Sequence, residues 1–234
     1  MNKYLLFILI SLSILSCSNN DKDNLPNIVF ILADDLGYGE IGILGQKKIE
    51  TPNIDKLAKS GMILTDHYTG SPVCAPSRSI LLTGLHSGNN PIRGNDEWKE
   101  RGDVWSFKAM FDNPELEGQR PLPDSIVTIA DILRSKGYKT GMFGKWGLGA
   151  PGSEGDPMNQ GFDRFYGLNC QRQSHNFYPT HVWSDRKKVM LDRKHYSHSL
   201  IADECLKFIR ENKDNPFFCY CLLYTSPSPR DRIA

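Results

Sequence analysis

The sequence carries almost no net charge. Its 28 lysines and arginines are balanced by 27 aspartates and glutamates, which leaves a formal net charge of +1. Binding to nucleic acid through bulk electrostatics requires a clear positive excess, so we expect no nucleic-acid partner. Short basic runs, such as residues 186–188, are interpreted as solvated surface.

Cysteine is sparse, and its spacing forms no dense disulfide framework. The chain has six cysteines in 234 residues and is too long to be a disulfide-stapled mini-domain. Two of the six belong to motifs described below, and the other four are Cys170, Cys205, Cys219 and Cys221. An even count permits disulfides in an oxidising compartment, but cysteine is also a common small core residue. We interpret these four as buried thiols, and the alternation of Cys219 and Cys221 places both on one face of a strand.

The apolar run at the N-terminus is too short to span a bilayer comfortably. Residues 4–15 follow Lys3 and have the length of a signal peptide. Residues 14–17, Ile-Leu-Ser-Cys, then resemble the lipobox of a bacterial lipoprotein, in which Cys17 becomes the lipidated N-terminus. We predict a lipoprotein signal peptide over residues 1–17 and a polar tether over 18–25. A plain secretory signal is the alternative, and both interpretations predict export. The lipoprotein would lie in the periplasm or on the outer cell surface, held to the membrane through Cys17.

The remainder of the chain alternates strand and helix patterns without an internal repeat. Residues 27–33 form a continuous apolar run rich in branched side chains, which is typical of a parallel strand buried on both faces. Further strands are predicted at residues 62–68, 140–143 and 216–221, and helices at 51–59, 77–82, 128–136 and 197–212. This alternation predicts an α/β fold with a mainly parallel central sheet flanked by helices.

Polar motifs follow the predicted strands, where α/β folds place their ligands. Asp34 and Asp35 are adjacent after the first strand, and a divalent cation relieves the repulsion between two close carboxylates. Residues 74–84 read C-x-P-S-R-x-x-x-x-T-G, a pattern that is hard to meet by chance. In a helix, Cys74 and Arg78 lie on neighbouring faces. Lys145 ends another predicted strand.

These motifs, in this order, resemble the type I sulfatase family, the formylglycine-dependent, arylsulfatase-like enzymes. The resemblance covers residues 26–221. It rests on six segments at residues 31–39, 51–55, 74–84, 144–149, 160–163 and 216–218. It implies an alkaline-phosphatase-like α/β fold and the hydrolysis of sulfuric esters.

The resemblance also implies a modified nucleophile. A formylglycine-generating enzyme or an anaerobic sulfatase-maturing enzyme would oxidise Cys74 to formylglycine. One hydroxyl of the hydrated aldehyde would attack sulfur and the second would expel sulfate, an elimination that a serine does not permit. Asp34, Asp35 and the modified Cys74 would hold Ca²⁺, which would polarise the sulfate oxygens. Arg78 would hold the hydrated aldehyde, and Lys145 would contact the sulfate.

The chain departs from the commonest family pattern at one position. Many relatives read G-K-W-H-L-G, whereas this chain has Gly147 where they have histidine. His175, in a Q-x-x-x-H-x-x-Y-P segment at residues 171–179, is predicted to bind substrate or to protonate the leaving oxygen. An ordinary structural or surface histidine is the alternative. Gln171 is a further candidate for substrate contact.

The last thirteen residues, 222–234, abandon the sequence pattern of the domain. They resemble a sequence, derived from adapter DNA, that is found at the broken ends of translated sequencing contigs. We therefore predict a non-native tail over residues 222–234, with residues 26–221 forming the N-terminal part of a sulfatase catalytic domain that is incomplete at its C-terminus. A genuine proline-rich turn segment is the alternative. On the first interpretation the fragment is itself inactive, because half of the cation site, a second lysine and the histidine that family members place near the leaving group after the 216–218 segment would be missing.

The predicted activity is that of a sulfatase acting on sulfate esters, with sulfated glycans as the favoured substrates. An exported lipoprotein of this family resembles the enzymes with which bacteria degrade sulfated polysaccharides. One alternative is a phosphatase or phosphonate monoester hydrolase of the same superfamily, because tetrahedral oxyanions resemble one another. Another is a lipoprotein that binds sulfated glycan without cleaving it.

Overall fold

The computed structural model describes residues 25–95 and 117–224. The predicted signal peptide with Cys17, nearly all of the predicted tether and residues 225–234 lie outside the described residues. Within the described ranges, no helix is both long enough and apolar enough to cross a membrane.

Six strands form one sheet in the described part of the chain. Their bounds are β1 (Ile28–Asp34), β2 (Lys139–Lys145), β3 (Arg164–Leu168), β4 (His181–Ser184), β5 (Lys187–Met190) and β6 (Phe217–Tyr224). The order across the sheet is β1-β6-β2-β3-β4-β5. The first four strands in this order pair in parallel and the last two pairings are antiparallel. The prediction of an α/β fold with a mainly parallel sheet is confirmed.

Five helices accompany the sheet within residues 25–95 and 117–224. They are α1 (Pro52–Ser60), α2 (Cys74–Thr83), α3 (Ile129–Ser135), α4 (Gln171–Ser174) and α5 (Ser197–Asn212), with 3₁₀ turns at Tyr38–Glu40, Gly42–Leu44 and Pro157–Asn159. Local sequence features explain where two of them begin. Pro52 is the first residue of α1, and Thr128 and Asp131 form a reciprocal capping box at the N-terminus of α3. Helix α2 begins at Cys74, three residues before the predicted start, and ends at Gly84 in the left-handed conformation.

Strand β6 lies at the centre of the core and is buried on both faces. Its alternate residues Phe218, Tyr220 and Leu222 belong to one hydrophobic cluster, which also contains Trp146 and Phe162. The residues between them, Phe217, Cys219 and Cys221, belong to a second cluster, against which α5 packs with Ile201, Cys205 and Phe208. This period of two follows from the pleat of the strand and confirms that Cys219 and Cys221 share one face.

Two strand predictions are wrong. Strand β1 is not buried on both faces: it pairs with β6 alone among the described strands, and Ile31 is 62% exposed. Its apolar run indicates a strand but does not reveal which neighbours cover it. Residues 62–68 form no strand, and their apolar side chains, including Met62 and Tyr68, are exposed because no other strand pairs with them in the described structure.

Strand β6 continues three residues beyond the end of the predicted strand. The prediction ends the strand at Cys221, whereas β6 continues to Tyr224, with Leu222 opposite Leu32 and Tyr224 opposite Asp34. Residues 222–224 thus extend the parallel pairing with β1. The boundary of the predicted non-native tail stays a prediction.

Candidate active site

The carboxyl ends of parallel strands bring two charged side chains together. Asp34 is the last residue of β1 and Lys145 is the last residue of β2, with β6 between them. The ammonium Nζ of Lys145 lies 2.8 Å from Oδ2 of Asp34, and both side chains are largely removed from solvent. The sequence predicted both residues for the site, and the parallel topology explains why they meet across 111 positions of chain.

Cys74 approaches the same edge from the first turn of α2. One ligand atom from each of Asp34, Asp35 and Cys74 lies within 4.8 Å of the others. The backbone of Asp35 has a positive φ of 61°, which is uncommon outside glycine and costs free energy. The N-terminus of α2 also presents the positive end of the helix dipole to this cluster. The three residues predicted as cation ligands are therefore close together.

The chemistry of this cluster suits a hard cation only in part. Two carboxylates are the oxygen ligands that Ca²⁺ prefers, and the cation commonly takes six to eight oxygen ligands. The Cys74 thiol is a soft ligand that suits other metals. An oxygen in place of the sulfur at position 74 would make all three ligands hard, so the described residues fit Ca²⁺ after that replacement.

Arg78 brings an incompletely satisfied guanidinium into the site. Its side chain is buried, and its Nε donates a hydrogen bond of 2.8 Å to the carbonyl oxygen of Trp146. Nη1 lies 3.8 Å from Oδ2 of Asp34, but neither Nη1 nor Nη2 has a hydrogen-bond acceptor among the described residues. Burial lowers the pKa of Arg78, and the charge of Asp34 opposes this effect. Buried unpaired donors are costly, and an anion at this edge would satisfy them.

Lys145 and His175 also lie close together. Burial lowers the pKa of Lys145, as does the neighbouring charge of Arg78, while Asp34 opposes both. The Nζ of Lys145 lies 3.5 Å from Nε2 of His175. Tyr224, which belongs to the segment predicted as a non-native tail, donates a hydrogen bond of 3.1 Å to Asp35 and lies 3.3 Å from Nδ1 of His175. The structure thus brings His175 into the predicted site.

Gln171 is buried beneath the site. It is 4% exposed, and its Nε2 donates a hydrogen bond of 2.9 Å to Oδ1 of Asn95. Its backbone N–H donates to Oε1 of Gln119 at 2.9 Å. A Cβ atom on Gly147 would lie 2.9 Å from Cδ of Gln171, so Gln171 fills the space beside that glycine. This burial favours a positioning role for Gln171 over the predicted contact with substrate.

Asn95 is a residue of the site that the sequence motifs do not predict. Its Oδ1 accepts hydrogen bonds of 2.9 Å from the backbone N–H of Ala75 and from Nε2 of Gln171. It therefore holds the first turn of α2, next to Cys74, against Gln171. Asn95 lies 20 positions after Ala75 and outside the recognised motifs, so the sequence gives no signal for this contact.

Comparison with known proteins agrees with this geometry. The family model described as Sulfatase matches residues 26–228. Over 148 residues the chain is 41% identical to arylsulfatase D of Homo sapiens, a match that covers 61% of this chain and 23% of that protein. The crystal structure of Ps i-CgsB superposes with a TM-score of 0.68 at 30% identity, covering 88% of this chain and 46% of that one.

A second solved structure also aligns over most of the chain. The structure of BT4656 in complex with its substrate D-glucosamine-2-N,6-O-disulfate has a TM-score of 0.65 at 28% identity, and the match covers 88% of this chain and 35% of that one. The chain belongs to the sulfatase family, as its motifs predict, and its sheet is part of the alkaline-phosphatase-like fold of these enzymes. It spans about a quarter of the length of the curated relatives that it matches, 23% for arylsulfatase D.

Proposed function

We propose that the whole protein is a sulfuric ester hydrolase whose site is built around Cys74. One observation carries the proposal: Cys74 lies within 4.8 Å of the Asp34 and Asp35 ligand atoms, where a cation would bind. The buried cations Arg78 and Lys145 both reach Asp34 at the same edge. A tetrahedral dianionic or monoanionic ester group needs such a concentration of positive charge for binding and for stabilisation of the transition state.

In this proposal, three described side chains have separate roles in the hydrolysis of the ester. Nη1 and Nη2 of Arg78, which have no hydrogen-bond acceptor among the described residues, offer hydrogen bonds to an oxygen at position 74 or to a sulfate oxygen. Lys145, buried and held by Asp34, contributes a fixed charge toward the transferring group. His175 lies next to Lys145 and is the described histidine best placed to give a proton to the leaving oxygen.

We further propose that Cys74 is matured to formylglycine by a dedicated modifying enzyme and that Asp34 and Asp35 bind Ca²⁺. When present, the hydrated aldehyde supplies an oxygen nucleophile, and the cation supplies Lewis-acid polarisation of the sulfate oxygens. The two carboxylates beside position 74 support this pair of groups, because both suit a hard cation that shares an oxygen ligand with the modified residue.

A sulfated sugar is the proposed class of substrate. BT4656 is solved with a disulfated glucosamine as its substrate, and Ps i-CgsB is solved with k-i-k-neocarrahexaose. Both structures align over 88% of this chain at 28% identity or more, which supports a related substrate class.

Export as a lipoprotein belongs to the same proposal. The lipobox ending at Cys17 and the apolar residues 4–15 support it. Metabolic labelling with a fatty acid in a bacterial host should label the natural chain and should not label the variant Cys17→Ala. Equal labelling of both would contradict lipidation at Cys17.

Kinetics on paired substrates test the proposed activity. The whole protein, produced together with a formylglycine-forming enzyme, should hydrolyse an aryl sulfate with a higher kcat/KM than the matching aryl phosphate. The variant Cys74→Ala should lose both activities, while the matched variant Cys170→Ala should retain them. A higher kcat/KM on the phosphate would contradict the proposal and favour a phosphatase. Binding of a sulfated sugar without any hydrolysis would favour the alternative of a lipoprotein that binds sulfated glycan without cleaving it.

A further inference from the structure

Two cysteines outside the site bring their sulfur atoms unusually close. Sγ of Cys205 in α5 lies 3.1 Å from Sγ of Cys219 in β6. Optimal contact between two carbon atoms is about 3.5–4.0 Å, and sulfur is the larger atom, so this approach is closer than ordinary packing. A disulfide bond is about 2.05 Å long, so the remaining gap is about 1 Å.

The surroundings hold the two cysteines in this arrangement. Both are buried in the second core cluster, where α5 packs against the face of β6 that carries Cys219 and Cys221. Cys221 is the next residue on that face and belongs to the same cluster. Cys205 thus faces two buried thiols on one strand, in a part of the fold that does not provide the charged centre.

We propose that Cys205 and Cys219 form a disulfide bond under oxidising conditions, which links α5 covalently to β6. The alternative is a permanent contact between reduced thiols. The bond would close a loop over 14 positions of chain and would fix the helix on the sheet. Cys221 would keep its thiol next to the bond. This proposal does not depend on the proposed sulfatase activity.

A small-molecule disulfide, such as oxidised glutathione, supplies the oxidising equivalents. The Cys205 thiolate attacks one sulfur of the oxidant, so a mixed disulfide forms and one glutathione thiolate leaves. The Cys219 thiolate then attacks the Cys205 sulfur, which forms the protein disulfide and releases the second glutathione thiolate. The two cysteines lose two protons and two electrons, and the oxidant is reduced to two thiols.

The hydrogen bond between Cys205 and Cys219 favours Cys205 as the attacking group. That hydrogen bond lowers the pKa of Cys205 and raises the pKa of Cys219. The thiolate is the nucleophile in thiol–disulfide exchange, so the group with the lowered pKa reacts first. Because the thiols are buried, we expect the reaction during folding or local opening.

Peptide mapping tests the bond directly. The full chain is refolded with oxidised glutathione, denatured, alkylated without reductant and digested with trypsin. Cleavage within residues 207–213 separates the Cys205 peptide, 195–207, from the Cys219 peptide, 214–230. We expect the two peptides to be joined, with fragmentation placing the bond at Cys219, and to separate on reduction. Alkylation of both Cys205 and Cys219 in the oxidised sample would overturn the proposal, as would a bond from Cys205 to Cys221.

Matched variants keep the test independent of folding defects. Cys205→Ser should abolish the joined peptides, and Cys170→Ser, which replaces another buried cysteine, should leave them unchanged. The oxidised natural chain should also have a higher Tm than the reduced chain, and this difference should vanish in Cys205→Ser. An equal Tm difference in Cys205→Ser would assign the stabilisation to another pair and overturn the proposal. The measurement on the natural chain decides the matter even where a variant fails to fold.

Discussion

Gly147 and Gln171 share one space beside Arg78. A Cβ atom at position 147 would lie 2.9 Å from Cδ of Gln171 and 2.6 Å from Nη2 of Arg78, and Gly147 has a left-handed φ of +66°. A histidine at this position is therefore sterically incompatible with Gln171 in its present conformation. The absence of a side chain at Gly147 thus leaves room for both the Gln171 side chain and the Arg78 guanidinium.

The variant Gly147→Ala should destabilise the protein through both the clash and the backbone strain. We expect a loss of about 2–6 kcal/mol in the free energy of unfolding, because overpacking and a left-handed alanine each cost about 1–3 kcal/mol. Gly152 provides the matched control, since its φ is +74° and a Cβ atom at that position would have nothing within 4 Å. Denaturant unfolding of Gly147→Ala and Gly152→Ala separates the cost of the steric clash from the cost of a left-handed alanine. Equal losses would show that Gln171 and Arg78 do not share the space of position 147.

Removal of the Asn95 amide should loosen the first turn of α2. Asn95→Ala leaves the Ala75 N–H and the Gln171 Nε2 without their acceptor, so we expect a loss of about 1–3 kcal/mol in the free energy of unfolding. Asn95→Asp keeps an acceptor oxygen at the same position and should lose less. Urea unfolding of the three proteins provides the comparison. Stability of Asn95→Ala equal to that of the natural protein would contradict the bridging role.

Calcium should stabilise the matured whole protein through Asp35. A ligand that binds only the folded state raises its stability by about 2.7 kcal/mol at one hundred times its Kd. We therefore expect Ca²⁺ to raise the Tm of the natural protein and a chelator to reverse the change, with no rise in Asp35→Asn. Asp66→Asn, at an exposed carboxylate that is not a member of the cluster, serves as the control and should respond like the natural protein. A full Ca²⁺ response in Asp35→Asn would exclude this carboxylate as a ligand.

Acidification should destabilise the fold through His198. Its ring packs against those of Phe177 and Tyr196 at 5.1 and 5.3 Å between centroids, and burial lowers its pKa below the usual 6.5. The unfolded chain then binds the proton more readily, so this contribution to stability is present above pH 6.5 and is lost as the pH falls toward the folded-state pKa.

The pH dependence of unfolding in His198→Gln should accordingly be flatter below pH 6.5 than that of the natural chain. His67→Gln replaces an exposed histidine and should preserve the natural slope. The measurement is the free energy of unfolding in urea at a series of pH values. Identical pH dependences of the free energy of unfolding in the natural chain and in His198→Gln would show that His198 does not cause the loss of stability at low pH.

The charged centre was largely predictable because local motifs and topology point to the same place. Asp34 and Lys145 end strands that the sequence identifies, and parallel strands bring such ends to one edge. The position of Cys74 follows from its motif and the helix that the motif begins. These predictions need only short-range patterns and one rule about sheets.

Features that depend on neighbours far along the chain were not predictable. The exposure of β1 depends on which strands flank it, and its own apolar run carries no information about them. The contact of Asn95 with Gln171 joins residues 76 positions apart, and a single amide leaves no periodic signal. The short strands β3, β4 and β5 were also not predicted from the sequence, because each spans only four or five residues and pairs with a neighbouring strand of the sheet.

The mass of the peptide that contains Cys74 tests the central claim most directly. Trypsin releases residues 60–78 as one peptide, and the whole protein is made together with a formylglycine-forming enzyme. We predict a peptide about 18 Da lighter than the unmodified sequence, as conversion of a thiol to an aldehyde requires. A peptide that carries only the unmodified Cys74 thiol, in protein that is folded and produced with that enzyme, would contradict the account.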